Sequence, residues 1–190
     1  MAWTTPRTWV ASEVVTSTLM NAHVRDNLSS LKTGGVSRED GVTSTVGNVG
    51  SGEDTLHSYS FSAGQLSANG DTIKAYFWGK TADNANVKDI QFRIDDTSVD
   101  TSILDTTLTI DEAGHWLAGF VAIRTSSTLC RASAQLVIGP ANSPLTHSAS
   151  NVTSAFTCAW ANAVEVRLTG EATTTNDITV EGGLITLVAV

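Results

Sequence analysis

Basic residues are scarce in this chain. Eleven Lys and Arg face 19 Asp and Glu across 190 residues, for a formal net charge of −8. No stretch gathers them into a cluster, and binding a nucleic-acid backbone requires clustered cations. Long apolar runs are also missing. The late run from Leu184 to Val190 falls far short of the roughly 20 residues that span a bilayer as a helix, so no membrane partner is expected. Residues 1–30 lack a basic start followed by an unbroken apolar core, so no secretory signal is read there and synthesis in the cytoplasm is expected. The only two cysteines, Cys130 and Cys158, lie far apart with no His pair at zinc spacing. Buried, reduced thiols acting as small apolar groups are the expected state. A bridge between neighbouring strands stays open, since it depends on geometry.

Catalytic constellations are equally thin. His23, His57, His115 and His147 are scattered, with no second His at the spacing a metal site uses. Asp95 and Asp96 are adjacent, so on a strand they point to opposite faces, which suits a turn better than a paired-carboxylate site. Asp83, Asn84, Asn86 and Asp89 form an acidic, amide-rich loop. It departs from the calcium-loop pattern at Ala85 and Val87. The run GNVGSG has neither the spacing nor the strand-then-helix setting of a phosphate-binding loop. There is no Gly-x-Ser-x-Gly elbow. No catalytic, cofactor-binding or metal-binding residues are expected, and the chain does not read as an enzyme.

Alternation is what the sequence does have. Short apolar runs at period two recur between turn signals: His57–Ser62, Asp71–Lys80, Val87–Ile94, Thr106–Ile110, His115–Arg124, Thr128–Ile138, Ser154–Trp160, Val164–Thr169 and Leu184–Val190. Asp177–Val180 opens the last of these, with Gly182-Gly183 as a bulge or bend. In the second run Ile73, Ala75 and Phe77 share one face, while Tyr76 and Trp78 share the other. In the third, Ile90, Phe92 and Ile94 point inward. The fifth is apolar on both faces, Trp116, Ala118, Phe120 and Ala122 against Leu117, Val121 and Ile123. Such a strand is central in a sandwich or faces another subunit. With no helices between strands, a parallel α/β fold is excluded. The expected fold is mainly β, an antiparallel β-sandwich of jelly-roll-like type. Tyr76, Trp78 and Trp160 are candidates for a sugar-stacking platform, although packing is the commoner fate of such side chains.

The first 33 residues differ from the rest. Pro6 and the residue before it favour an extended arm, which carries Trp3, Trp9 and Val10. Burying each Trp is worth roughly 2–3 kcal/mol, and a short arm has no core of its own for them. One helix is expected from Thr16 or Ser17, either of which can cap it, to about Leu31. Met20, Val24, Leu28 and Leu31 fall four, four and three apart and so share a face. A single stripe on a helix of about 15 residues is marginal alone and needs a partner. The expected organisation is 1–33 as anchor arm and helix, 34–54 as a Gly/Ser-rich linker and 55–190 as the β-sandwich body. The attachment or oligomer-interface residues are Trp3, Pro6, Trp9, Val10, Met20, Val24, Leu28 and Leu31.

The run PRTWVASEVVTSTLMNAHVRDNL resembles a segment recurrent near the N-terminus of structural proteins of tailed bacteriophages. Pro6, Arg7, Thr8, Trp9, Glu13, Val15, Thr16, Leu19, Asn21, His23, Arg25, Asp26, Asn27 and Leu28 carry the match. Ser12 stands where the pattern has Gly, and Met20 intervenes between Leu19 and Asn21. The run SYSFSAGQLSANGDTIKAYFWGK is similar to the first strands of a β-sandwich module of phage fibres and head-attached proteins, through Tyr59, Leu66, Ala68, Asn69, Gly70, Asp71 and Gly79. The resemblance implies a virion protein assembled in the host cytoplasm. It implies a homotrimeric capsid-attached fibre or decoration protein that docks on other virion proteins, of capsid or tail, through its arm. A tail-fibre component or a glycan-binding module for host recognition is the alternative.

Overall fold

The computed structural model describes residues 8–28, 36–109, 113–140 and 147–190. A helix opens at α1 (Ser17–Met20), where Thr16 Oγ1 accepts the Leu19 N–H at 3.3 Å. It continues through a π-turn, Asn21–Arg25, toward Leu28. Among the described residues eleven strands follow: β1 (Val36–Val42), β2 (Val46–Gly47), β3 (Glu53–Phe61), β4 (Thr72–Thr81), β5 (Val87–Asp95), β6 (Asp100–Thr109), β7 (Gly114–Ser126), β8 (Leu129–Pro140), β9 (His147–Thr157), β10 (Val164–Ala172) and β11 (Ile178–Val188).

All pairings are antiparallel. The large sheet runs β1-β11-β4-β7-β8-β9, with β2 also on β11, and the small sheet runs β3-β10-β5-β6. The pairs β1·β11, β3·β10, β4·β7 and β5·β6 are those made when one long hairpin is rolled up twice. Two four-stranded sheets in that order are a jelly roll. The β8–β9 hairpin widens the large sheet beyond it. The expected antiparallel sandwich is the fold observed.

Strand alternation fills the core from both sheets. β4 buries Ile73, Ala75 and Phe77, β5 buries Ile90, Phe92 and Ile94, and β7 buries Trp116, Ala118, Phe120 and Ala122. Across the layers Phe92 stacks on Phe120 with centroids 5.4 Å apart and tilts against Phe77 at 5.9 Å. Each such pair adds about 1 kcal/mol beyond its buried area. Cys130 and Cys158 are free and buried in the same core. Burial pushes the Cys158 thiol up to about 12 and the Cys130 thiol higher still, so both stay protonated and unreactive.

The expectations about the linker and about the start of β9 need correction. Residues 36–47, read as linker, supply β1 and β2, both hydrogen-bonded to β11. An edge strand held by backbone pairing needs no strict apolar alternation, and the Gly, Ser and Thr content hid it. β9 begins at His147 rather than Ser154 for the same reason: HSASNVT shows no apolar period. The last strand is as read: Ile178–Val188 form one strand, β11, whose register shifts between Val180 and Gly182. The expected bulge is therefore present. Its glycines are required by close approach. A Cβ at Gly182 would sit 2.2 Å from the Trp78 indole, and one at Gly183 2.2 Å from the Phe77 ring.

Candidate docking surfaces

The N-terminal segment forms a hook. Glu13 closes a turn on Val10, its N–H reaching Val10 O at 3.1 Å while its carboxylate accepts the Val10 N–H at 3.2 Å. Ser12 inside that turn has φ +66°, a left-handed conformation that L-residues adopt at a cost. This gives a physical reason for Gly at that place in the phage pattern. Trp9 then meets His23 edge-to-face at 6.2 Å, so arm and helix hold each other.

The helix is not regular. The N–H of Asp26 bonds to Asn21 O, five residues back, and a π-turn rotates later side chains relative to a regular helix. Leu19, Ala22, His23, Asp26 and Asn27 are its less exposed side chains. Met20, Val24 and Leu28 remain 45, 39 and 61% exposed. Trp9, Val10, Val14 and Val15 are exposed as well. Of the expected attachment residues, the structure brings Trp9, Val10, Met20, Val24 and Leu28 onto one small element with their apolar groups facing out. Trp3, Pro6 and Leu31 lie outside the described residues.

A second uncovered surface is the outer face of the large sheet. Tyr76 and Trp78, two apart on β4, both project from it, as the alternation predicts. Trp160 does not join them. It is buried, and its indole N–H donates to Leu129 O at 3.0 Å. Leu117 and Ile123 of β7 lie on this face, 45 and 40% exposed, so the two-sided strand is covered on one side only. Cross-strand register puts Trp78 beside Leu117 and Tyr76 beside Gly119, with Gln135 next to Gly119. The missing side chain at Gly119 leaves an open depression of about 190 Å³, walled by Tyr76, Phe120, Val121, Ser133 and Gln135. His115 is exposed at the end of the same strand.

The outer face of the small sheet is of another kind. Arg93 lies 3.1 Å from Asp100 and 3.4 Å from Glu53, and Arg167 bridges Asp100 at 2.5 Å and Glu165 at 3.7 Å. Burial would raise the Asp100 carboxyl, but the two guanidiniums outweigh it and hold it below the ordinary range. Asp89 on the same face goes the other way. Burial first, and the Asp105 carboxylate second, push it up to about 6.

The loops at each end are tied by carboxylates. Asp96 receives the N–H groups of Ser98, Val99 and Ala159 at 2.9, 2.8 and 2.5 Å. These outweigh its burial and lower its pKa. Asp95 faces the opposite way, toward Arg167, so the pair is a turn, as read.

At the other end Asp177 accepts Asn84 and Asn86 amides at 2.6 and 2.7 Å and the Thr174 N–H at 3.0 Å. Burial is again outweighed, and Asp177 lies below the usual range. The ammonium of Lys88, 1% exposed, donates to Asn84 O, Asn84 Oδ1 and Asn86 O at 2.9, 2.9 and 3.1 Å. The loop oxygens considered for calcium are thus taken up by a cation of the chain itself, while Asp89 points away to Gln91 and Thr106. This arrangement was hidden because Asp177 lies far from the loop in sequence. Among the described residues no three His, Cys, Asp or Glu side chains converge on a metal position.

No family model and no curated protein matches the chain. Among solved structures, that of the infectious bursal disease virus Gx strain aligns over 80% of this chain and 39% of its own, at 12% identity and a TM-score of 0.29. The infectious bursal disease virus VP2 subviral particle aligns over 80% and 42%, at 13% identity and a TM-score of 0.26. The chain spans about two fifths of the length of these proteins. Both likenesses are weak; the jelly-roll assignment rests on strand order.

Proposed function

We propose that this chain is a non-enzymatic structural protein of a tailed-bacteriophage particle, attached to another virion protein through its N-terminal hook. The hook carries the reading. Its sequence resembles the phage segment, and Trp9, Val10, Met20, Val24 and Leu28 display apolar area that the jelly roll does not cover. Residues of this kind become anchors when a partner desolvates them. In the capsid fibre or decoration form of this reading, the hook seats on the shell and the β body projects.

A homotrimer completes the proposal. Closed cyclic assembly buries an apolar surface without open-ended growth, and the resemblance supplies the number three. The test is a chain lacking residues 1–33. It should stay folded and soluble while failing to join particles. Incorporation at the wild-type level would refute attachment by the hook. Sedimentation of the full chain at a trimer's mass would support the oligomer, and a monomer at micromolar concentration would remove it.

A further inference from the structure

The two outer faces differ in how far they satisfy themselves. On the small sheet, Arg93 and Arg167 are laced to carboxylates. On the large sheet, the side chains of Tyr76, Trp78, Ser133 and Gln135 make no hydrogen bond among the described residues. Two aromatic side chains stand beside these free donors and acceptors, next to a depression floored by a glycine. The indole of Trp78 lies against Gly182, so close that a Cβ there would clash. Its position is therefore fixed before anything binds.

Charge on this face also runs against the chain's net charge of −8. Lys74 pairs across to Val121, and Arg131 to Ile123. Neither makes an ion pair among the described residues. Lys80, by contrast, is occupied by Glu181 at 2.6 Å.

We infer that the Tyr76–Trp78–Gly119 surface is a glycan subsite for an acidic pyranose unit. A sugar ring offers a C–H face to an aromatic ring and hydroxyls at its rim, which is the division of aromatic and polar groups found here. Ser133 and Gln135 meet the hydroxyls, and Lys74 meets a carboxylate substituent. A depression of about 190 Å³ admits one ring rather than a long chain. The subsite is independent of the hook and does not depend on where the hook docks.

The test is titration of the full chain with tetragalacturonate and, separately, with neutral galactotetraose, followed by tryptophan fluorescence and calorimetry. Saturable binding that favours the uronate is expected. Trp78→Ala should weaken it at least tenfold, and Lys74→Ala should abolish the preference for the acidic sugar. Gly119→Ala guards against a folding artefact. Its Cβ would meet Tyr76 Cε1 at 3.4 Å and Gln135 Cγ at 3.6 Å, so it fills the depression without disturbing the sheet, and binding should fall at least fivefold. Three results would overturn the proposal. They are no saturable binding of either sugar, binding unchanged in both Trp78→Ala and Gly119→Ala, or dissociation of a wild-type assembly by Trp78→Ala, which makes the face a contact between copies.

Discussion

Replacing Lys88 with Met tests whether the buried ammonium holds the end of the sandwich together. Met keeps the length and apolar stem of Lys and removes the charge. Three acceptors then lose the ammonium: Asn84 O, Asn84 Oδ1 and Asn86 O, now bonded at 2.9, 2.9 and 3.1 Å, of which Asn84 Oδ1 keeps the Asn86 N–H. Each charge-assisted bond is worth about 1.5–3 kcal/mol. Burying the ammonium opposes part of that gain, so the sum overstates the loss. Breaking one side of a buried charged network costs about 3–5 kcal/mol, and the lower end applies because the neighbouring oxygens belong mostly to neutral groups. A loss of about 3 kcal/mol corresponds to roughly 6–12 °C in Tm for a domain of this size. Thermal and urea unfolding of Lys88→Met, Asp177→Asn and the double variant would measure it. The two sites share Asn84 and Asn86, so their effects should not add. A Lys88→Met protein within about 0.5 kcal/mol of wild type would refute the role, since that is the range of an ordinary surface substitution.

Other outcomes follow from single positions. Ser12→Gly should stabilise the hook by about 1 kcal/mol, because Ser12 holds φ +66°; slower amide exchange at Val10 and Glu13 would show it, and faster exchange would contradict it. Gly79→Ala should destabilise the sheet by at least about 2 kcal/mol, since its Cβ would approach Thr179 O to 1.8 Å; unchanged urea unfolding would count against the packing described. The Asp89 carboxyl, raised from 3.8 to about 6, makes the folded chain hold a proton that the unfolded chain has released between those values. Its contribution is therefore full below about pH 4 and is lost as pH rises through about 6. Asp89→Asn should remove that decline, a gain of about 1 kcal/mol at pH 7.5 after allowing for solvent screening. The same substitution giving no gain at pH 7.5 would contradict a carboxyl raised by burial and by Asp105.

Local order was largely legible in the residues, and long-range order was not. The alternation of Ile73, Ala75 and Phe77 against Tyr76 and Trp78 fixes both the strand and its faces, because a one-residue slip would bury the wrong set. The turn at Asp95-Asp96 was readable from chemistry that carboxylates supply locally. The jelly-roll order depends on pairs such as Val36 with Val188, which no local pattern encodes. The helix shows the same limit in miniature. Its start at Thr16 is a capping rule, but the π-turn at Asn21–Arg25 has no local signal in a regular 3.6-residue period. Trp160 meets the commoner fate of such side chains, packing in the core, but its sequence neighbours, Cys158-Ala159 and Ala161-Asn162, do not say that its N–H will find Leu129 O there.

Attachment by the hook is tested most directly on particles. Full-length chain and chain lacking residues 1–33 would be supplied to assembling virions, and purified particles would be decorated with a gold-labelled antibody against the β body. The account predicts gold on particles carrying the full chain, spread over the head for a capsid fibre or decoration protein, and none on particles given the truncated chain. Equal labelling by both chains, or no label with the full chain, would contradict it.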